Sequence, residues 1–411
     1  MHILLATIGS VGDVHPVLNL GLALKKRGHK VTVITNPYFK TKTEKVGLNF
    51  IKLGEKTDYE KASKHPAIWH PKKGLKLLAK TVVKSTEPLY RIIEKEQKKE
   101  DCLVIATALC FGARIARDKL NTPLVTIHMQ PSLFRSFESP PTIPGAKLPN
   151  WLLKIFSRLI YRNLEQTIDA IIAPKINQFR KKLGLKPIKQ ILNGWTNSPD
   201  LIIGLFPSWF AKKQSDWPKN TKITNFSLLK SSKTLNKTDR KTLNLKPPAI
   251  IFTAGTAMKH GRQFFKESVK ACQRLKTRGI LVTTDPRNIP KKLPNGITHL
   301  PYLPFDKALP KAAAIVHHGG IGTSATALRA GTPQLIMPMG FDQPDNANRL
   351  EKLGVALQIK AKHYRVKILA QKLHDLLNSK KIQNRCKAIA KKAQKDTSMK
   401  KTCQIIESFM Q

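Results

Sequence analysis

Acidic side chains are scarce in this chain. Asp and Glu number 26 against 73 Lys and Arg over 411 residues, a formal charge of +47. That imbalance leaves three readings open. Nucleic acid fits the sign, because phosphate neutralisation drives such binding. An anionic membrane surface fits it equally. A lysine-biased composition spread over every surface is the third. RNP signatures, zinc-finger spacings and helix-turn-helix glycine patterns are missing, so nucleic acid is not the expected partner. Cysteine is sparse as well. Cys102, Cys110, Cys272, Cys386 and Cys403 are scattered without a CxxC, which excludes a disulfide scaffold or a zinc site and fits a reducing compartment. No apolar run approaches the ~18–20 residues of a membrane span. MHILLATIGSVGD lacks a basic region ahead of its apolar stretch and reads as a first strand, not a signal peptide. The expected location is cytoplasmic, with the inner membrane face as a peripheral option. No DxD-type acidic pair stands at a strand end, so no metal is expected.

What is present is a repeated plan. HILLATI (2–8), KVTVITN (30–36), LNFIKL (48–53), CLVIAT (102–107), PLVTIH (123–128) and LIIGLF (201–206) are strand-like. Segments of helical spacing separate them, and Gly28 sits where a helix begun at Pro16 would end. AIIFTAG (249–255), GILVTTD (279–285), ITHLPYL (297–303), AAIVHH (313–318) and PQLIMPM (333–339) form a second series. Alternation of this kind predicts parallel, doubly wound α/β sheets. A chain of this length exceeds one core, so two domains are expected. Residues 1–225 form the first, 226–247 a polar linker, 248–385 the second, and 386–411 closing helices.

The stretch from His317 to Leu350 is the most specific. AAIVHH ends abruptly at Gly319, Gly320 and Gly322, and Thr323 opens a helix-like segment. Glycines at such a junction let backbone amides approach a ligand, and the helix N-terminus behind them favours an anion such as a diphosphate. His318 and Thr323 add side-chain hydrogen bonds. Asp342 and Gln343 follow the next strand and offer acceptors and an amide at a strand's carboxyl end, where open α/β sheets bind ligands. The combination suits a phosphate-linked polyhydroxyl group, meaning a nucleotide sugar. A glycine turn made only for packing remains the alternative for the first half alone.

The first βα turn, IGSVGDVHP (8–16), holds Asp13 and His15. Sugar transfer to an alcohol needs a base for the hydroxyl proton, and a desolvated carboxylate can serve. The structural alternative makes Asp13 an N-cap with Pro16 near the first helical position. His15 reads as a supporting residue. All five tryptophans (Trp69, Trp151, Trp195, Trp209, Trp217) precede residue 218, so aromatic rings could line an apolar pocket there. Core packing is the alternative for each.

These motifs resemble the donor signature of the family-1 glycosyltransferases, HHGG-x-GT … RAG-x-P … DQ-x-x-NA-x-R. The resemblance implies a GT-B fold, two Rossmann-like domains facing across a cleft, whose final helices return to the N-terminal domain. It implies that His318, Gly319, Gly320, Gly322 and Thr323 hold the donor diphosphate. Gly255 and Thr256 of FTAGT join them, and Asp342 with Gln343 holds the sugar. LPYLPFDKALP implies a nucleobase loop at Pro304 and Phe305. Plant members carry a ribose-binding Glu where this chain has Thr326, so UDP and dTDP both stay open. Sterol and glycopeptide members carry GS-x-GD-V-x-P at the first turn, which implies Asp13 as catalytic base. HPAIWHPKKG (65–74), FGARIA (111–116) and LFPSWFA…QSDWP (205–218) resemble the rhamnosyltransferase branch of rhamnolipid synthesis. That implies rhamnose or glucose moved, with inversion, onto a hydroxyl of a lipophilic acceptor, the nucleotide sugar being a co-substrate and no cofactor being needed. A sterol or polyketide aglycone is the alternative acceptor. A non-catalytic nucleotide-sugar or polyanion binder is the alternative of another class.

Overall fold

The computed structural model describes every residue except 66–67, 69–70, 143–149, 232, 256–260 and 396–398. The chain divides into two compact units. One comprises Met1–Leu229 with Ser398–Gln411, and the other Lys230–Thr397.

In the first unit, β1 (His2–Ala6) leads into α1 (Val11–Lys25), then β2 (Lys30–Thr35), α2 (Lys40–Lys45), β3 (Asn49–Lys52), α3 (Lys56–Lys64) and α4 (Pro71–Gln97). β4 (Cys102–Thr107), α5 (Phe111–Leu120), β5 (Leu124–His128), α6 (Asn150–Lys182), β6 (Leu201–Gly204) and β7 (Thr221–Ile223) complete it. The strands order as β3-β2-β1-β4-β5-β6-β7, all parallel. Parallel strands covered on both faces read as continuous apolar runs, and HILLA and CLVIA are buried throughout. Order reverses between β1 and β4, so the loops leaving their carboxyl ends flank the switch point of the sheet.

The second unit repeats the plan. It runs through α7 (Lys237–Asn244), β8 (Ile250–Phe252), α8 (Arg262–Arg274), β9 (Gly279–Val282), β10 (Ile297–Leu300), α9 (Phe305–Ala308), β11 (Ala314–His317) and α10 (Ile321–Ala330). β12 (Gln334–Ile336), α11 (Gln343–Lys352), β13 (Ala356–Gln358), α12 (Val366–Asn378) and α13 (Lys380–Lys395) follow. The parallel order is β10-β9-β8-β11-β12-β13, with the switch between β8 and β11. Finally α14 (Lys400–Met410) packs on α1 in the first unit. There Glu407 pairs with Arg27 and His29, and the Arg27 guanidinium pulls its carboxyl down to about 2.

Two expectations change, and the alternatives left open for the tryptophans are decided. The 226–247 stretch contains a helix, α7, because Asn236 and Asp239 form a reciprocal capping box and Leu243 joins a buried cluster with Leu235 and Ile251. Of the expected closing helices only α14 returns to the first unit. α13 stays with the second, burying Cys386, Ile389, Ala390 and Ala393. The tryptophans with described side chains pack internally: Trp217 stacks on Phe134 at 4.2 Å, and Trp195 donates to Asp118 between two arginines. Trp209 meets Phe226 edge-on. Trp69 and the Trp151 side chain lie outside the described residues.

Candidate active site

In the second unit the switch point gathers the glycine turn. β11 ends at His317, and the two histidines part there. His317 is fully buried, its Nδ1 accepts the Gly319 amide at 3.1 Å, and its Nε2 donates to Gln334 Oε1 at 3.0 Å. Burial lowers its pKa to about 3, so it is a neutral fixture of the sheet end. His318 faces the turn instead. Side-chain carbons added at Gly255 and Gly320 would lie 2.5 Å from its ring, so the imidazole fills the space between those two backbones. Burial holds His318 near 4, neutral at pH 7, and its Nδ1 has no hydrogen-bond partner among the described residues. A buried polar atom without a partner is uncommon and costly, and a ligand oxygen would answer it.

Gly320 caps α10 with no side-chain hydrogen bond, and the first rung runs from the Ser324 amide to Gly320 O. The amides of Ile321, Gly322 and Thr323 therefore precede the ladder and form a ready anion site. Among the described residues nothing lies within 4 Å of the position a side chain would take at Gly322. Thr323 is partly exposed one turn in. Thr326 donates its hydroxyl back to Gly322 O at 2.8 Å, spending it on its own helix.

The Asp–Gln pair is wired to this turn. Gln343 is buried, and its Oε1 accepts the amides of Met339 (2.9 Å) and Gly340 (3.3 Å). That fixes the side-chain carbonyl on the protein and leaves the NH2 as the donor for a ligand. Asp342 caps α11, and its Oδ2 accepts from Asn346 at 2.6 Å. Asn346 also donates to Gly319 O at 3.0 Å. Pro304 is the N-cap of α9 and Phe305 its first residue; α9 packs on α10, and Phe305 lies against the buried cluster of Ile251, Ile280 and Ala327. Thr256 lies outside the described residues.

In the first unit the turn after β1 holds Asp13. Ser10 is the N-cap of α1 and Asp13 its N3 residue, so Asp13 belongs to a capping box instead of being the cap, and Pro16 lies inside the helix. Asp13 Oδ2 accepts the Ser10 amide at 2.7 Å and the Ser10 hydroxyl at 3.0 Å. Those bonds engage one oxygen and leave Oδ1 for another partner. Burial raises the carboxyl pKa against the lowering pull of the Ser10 bonds. His15 sits two positions on, where helix residues do not share a face. Burial and Lys42 lower it to about 4.

Sequence reasoning passed over Gly9, His317 and Asn346. The NA of DQPDNANRL was a signal for the last. Gly9 and His317 stand in the GS-x-GD and HHGG motifs, but their roles lie in the tertiary contacts.

Two family models match the chain. The Erythromycin biosynthesis protein CIII-like, C-terminal domain matches residues 275–408, and the Glycosyltransferase family 28 N-terminal domain matches residues 3–136. The O-mycaminosyltylonolide 6-deoxyallosyltransferase of Streptomyces fradiae is 26% identical over 373 residues, 87% of this chain and 85% of that protein. A sterol 3-beta-glucosyltransferase of Pichia angusta is 25% identical over 99% of this chain, which spans only 33% of that protein. Among solved structures, the glycotransferase of kitacinnamycin matches with a TM-score of 0.76 at 18% identity, covering 100% of this chain and 99% of that one. The glycosyltransferase VinC in complex with dTDP matches at 0.73 and 19%, with the same coverage.

Proposed function

We propose that the chain is a GT-B glycosyltransferase that moves a hexosyl group, rhamnose or glucose, from a UDP- or dTDP-sugar to a hydroxyl of a lipophilic acceptor. The observation that carries the donor half is the Nδ1 of His318, which has no partner among the described residues and is held between Gly255 and Gly320 at the uncapped head of α10. A diphosphate oxygen supplies the missing partner, and the helix amides meet its charge without a metal. Asp342 and the Gln343 NH2 take sugar hydroxyls. Asp13 takes the acceptor proton through Oδ1. The acceptor oxygen then attacks the anomeric carbon opposite the diphosphate, one bond forming as the other breaks, with inversion. A neutral His318 donates a hydrogen bond to the departing diphosphate, not a charge.

A sterol or polyketide aglycone is the second acceptor class, favoured by the names of the two relatives. Turnover against a panel of UDP- and dTDP-sugars with hydroxy fatty acyl, sterol and macrolide acceptors, read by mass spectrometry, decides between them. No product with any pair would leave a nucleotide-sugar binder without transferase activity.

Titration calorimetry checks the donor assignments. His318→Ala should weaken nucleoside diphosphate binding by about 10- to 100-fold, the loss of a hydrogen bond to a charged group. Gln343→Ala should weaken the intact sugar nucleotide far more than the free diphosphate. Equal losses for both ligands would remove Gln343 from the sugar site.

Peripheral membrane attachment is a separate proposal. No described helix is long and apolar enough to cross a membrane. Lys391, Lys392 and Lys395 are exposed on α13 and Lys400 and Lys401 on α14, so these five lie in different units. Among the described residues no ion pair uses the three on α13. Neutralising all five should reduce binding to anionic vesicles and leave turnover of a soluble acceptor intact. Binding should also fall as salt shortens the Debye length from ~10 Å at 0.1 M to ~3 Å at 1 M. Equal retention on neutral vesicles would reduce the +47 to composition.

A further inference from the structure

Asn346 is completely buried on the first turn of α11, and its one amide nitrogen is shared between two parts of the site. One hydrogen goes to Gly319 O at 3.0 Å and the other to Asp342 Oδ2 at 2.6 Å. Gly319 itself sits in close quarters. Its φ is +90°, and an added side-chain carbon would stand 2.8 Å from Ile336 and 3.2 Å from Gln343 O. Its amide is already held by His317. The peptide units on both sides of Gly319 are therefore clamped, on one side by a histidine of β11 and on the other by Asn346. The same Asn346 nitrogen fixes the rotamer of the Asp342 carboxylate. The turn that leads into the α10 amides and the loop that presents Asp342 and Gln343 are thereby one hydrogen-bonded unit.

We propose that Asn346 is a positioning residue that couples the diphosphate turn to the sugar-holding carboxylate without touching the donor. The proposal rests on the donor site described above. The amide offers two hydrogens from one uncharged nitrogen to a carbonyl and a carboxylate. A carboxylate there would face both acceptors with nothing to donate. Placing two donor-binding loops in fixed relation matters because small misplacements of reacting groups cost rate steeply.

The experiment compares dTDP or UDP with the matching intact sugar nucleotide, by calorimetry and by steady-state kinetics, for wild type, Asn346→Ala, Asn346→Asp, Asp342→Ala and the Asn346→Ala/Asp342→Ala double variant. Asn346→Ala should raise the donor KM by about 10- to 100-fold, leave the acceptor KM unchanged, and weaken the free diphosphate only a few-fold. Asp342→Ala should affect the intact donor alone. In the double variant the second substitution should add less than about 3-fold, since residues that act through one another are non-additive. Asn346→Asp keeps the side-chain shape and should show the same donor loss, so it decides the matter if Asn346→Ala does not fold. Multiplicative losses in the double variant, or donor binding in Asn346→Asp within about 2-fold of wild type, would overturn the coupling while leaving the donor site intact. Failure of the wild-type chain to bind either ligand would overturn the donor site itself, and this inference with it.

Discussion

Asp13→Asn is expected to lose about 10²- to 10⁴-fold in turnover while binding the sugar nucleotide as wild type does, the range usual for removal of a general base. The expectation follows from the geometry of one carboxylate. Oδ2 is committed to the Ser10 amide and hydroxyl, which fix the side chain, and Oδ1 is left for the acceptor hydroxyl. Asparagine keeps an oxygen for Ser10 and the helix start with it, so the loss isolates the proton transfer from the fold. Burial adds a signature in pH. The group is the base only when ionised, and its pKa is raised, so wild-type kcat/KM should fall on the acid side at a pH above the ordinary carboxylate range. That limb should vanish in Asp13→Asn. His15 is held to about 4, so a role for it would show instead as an acid limb near that value. A normal rate in Asp13→Asn moves the base to His15 or to water.

Much of this was legible in the chain, for reasons that can be named. Parallel strands buried on both faces write themselves as apolar runs, and HILLA, KVTVIT, CLVIAT and AIVH fell where those runs stand. Partial burial weakens the signal, although β3 and β10 are still legible through it. β13 is only Ala356–Gln358 on the sheet edge, and its polar end hides it among helices. α1 starts at Val11, five residues ahead of the proline that seemed to open it. Ser10 and Asp13 nucleate it, and Pro16 forfeits one rung to the carbonyl of Gly12, an exposed residue. α7 was masked by lysine, threonine and asparagine because its stability lies in a cap and two buried side chains. At the site, residue types and spacing pointed to a phosphate turn and a polyhydroxyl partner. They assigned His318 to the turn but left unsaid how its neighbour His317 is built into the sheet. That follows from the alternation of a strand end, His317 taking the buried side and His318 the open one.

Gly9→Ala should damage turnover about as severely as losing a well-placed catalytic group, ~10²-fold, although no catalytic atom is removed. Gly9 sits at φ +145°, a conformation that L side chains rarely adopt, and the added carbon would lie 2.3 Å from Asp13 Oδ2 and 2.6 Å from its Cγ. Such approaches cannot coexist, so either the turn or the carboxylate must move. Movement of the carboxylate breaks its bonds to Ser10 and carries Oδ1 away from the acceptor hydroxyl. The glycine is there because the backbone passes directly over the carboxylate that caps α1. Relief of crowding separates this account from simple unfolding. Gly9→Ala should bind the sugar nucleotide normally, since the donor residues belong to the second unit, and its loss should appear in kcat. Adding Asp13→Asn should lower turnover little further, because the base is already out of place. If the two losses instead multiply, Gly9 acts on the fold by a route that does not pass through Asp13.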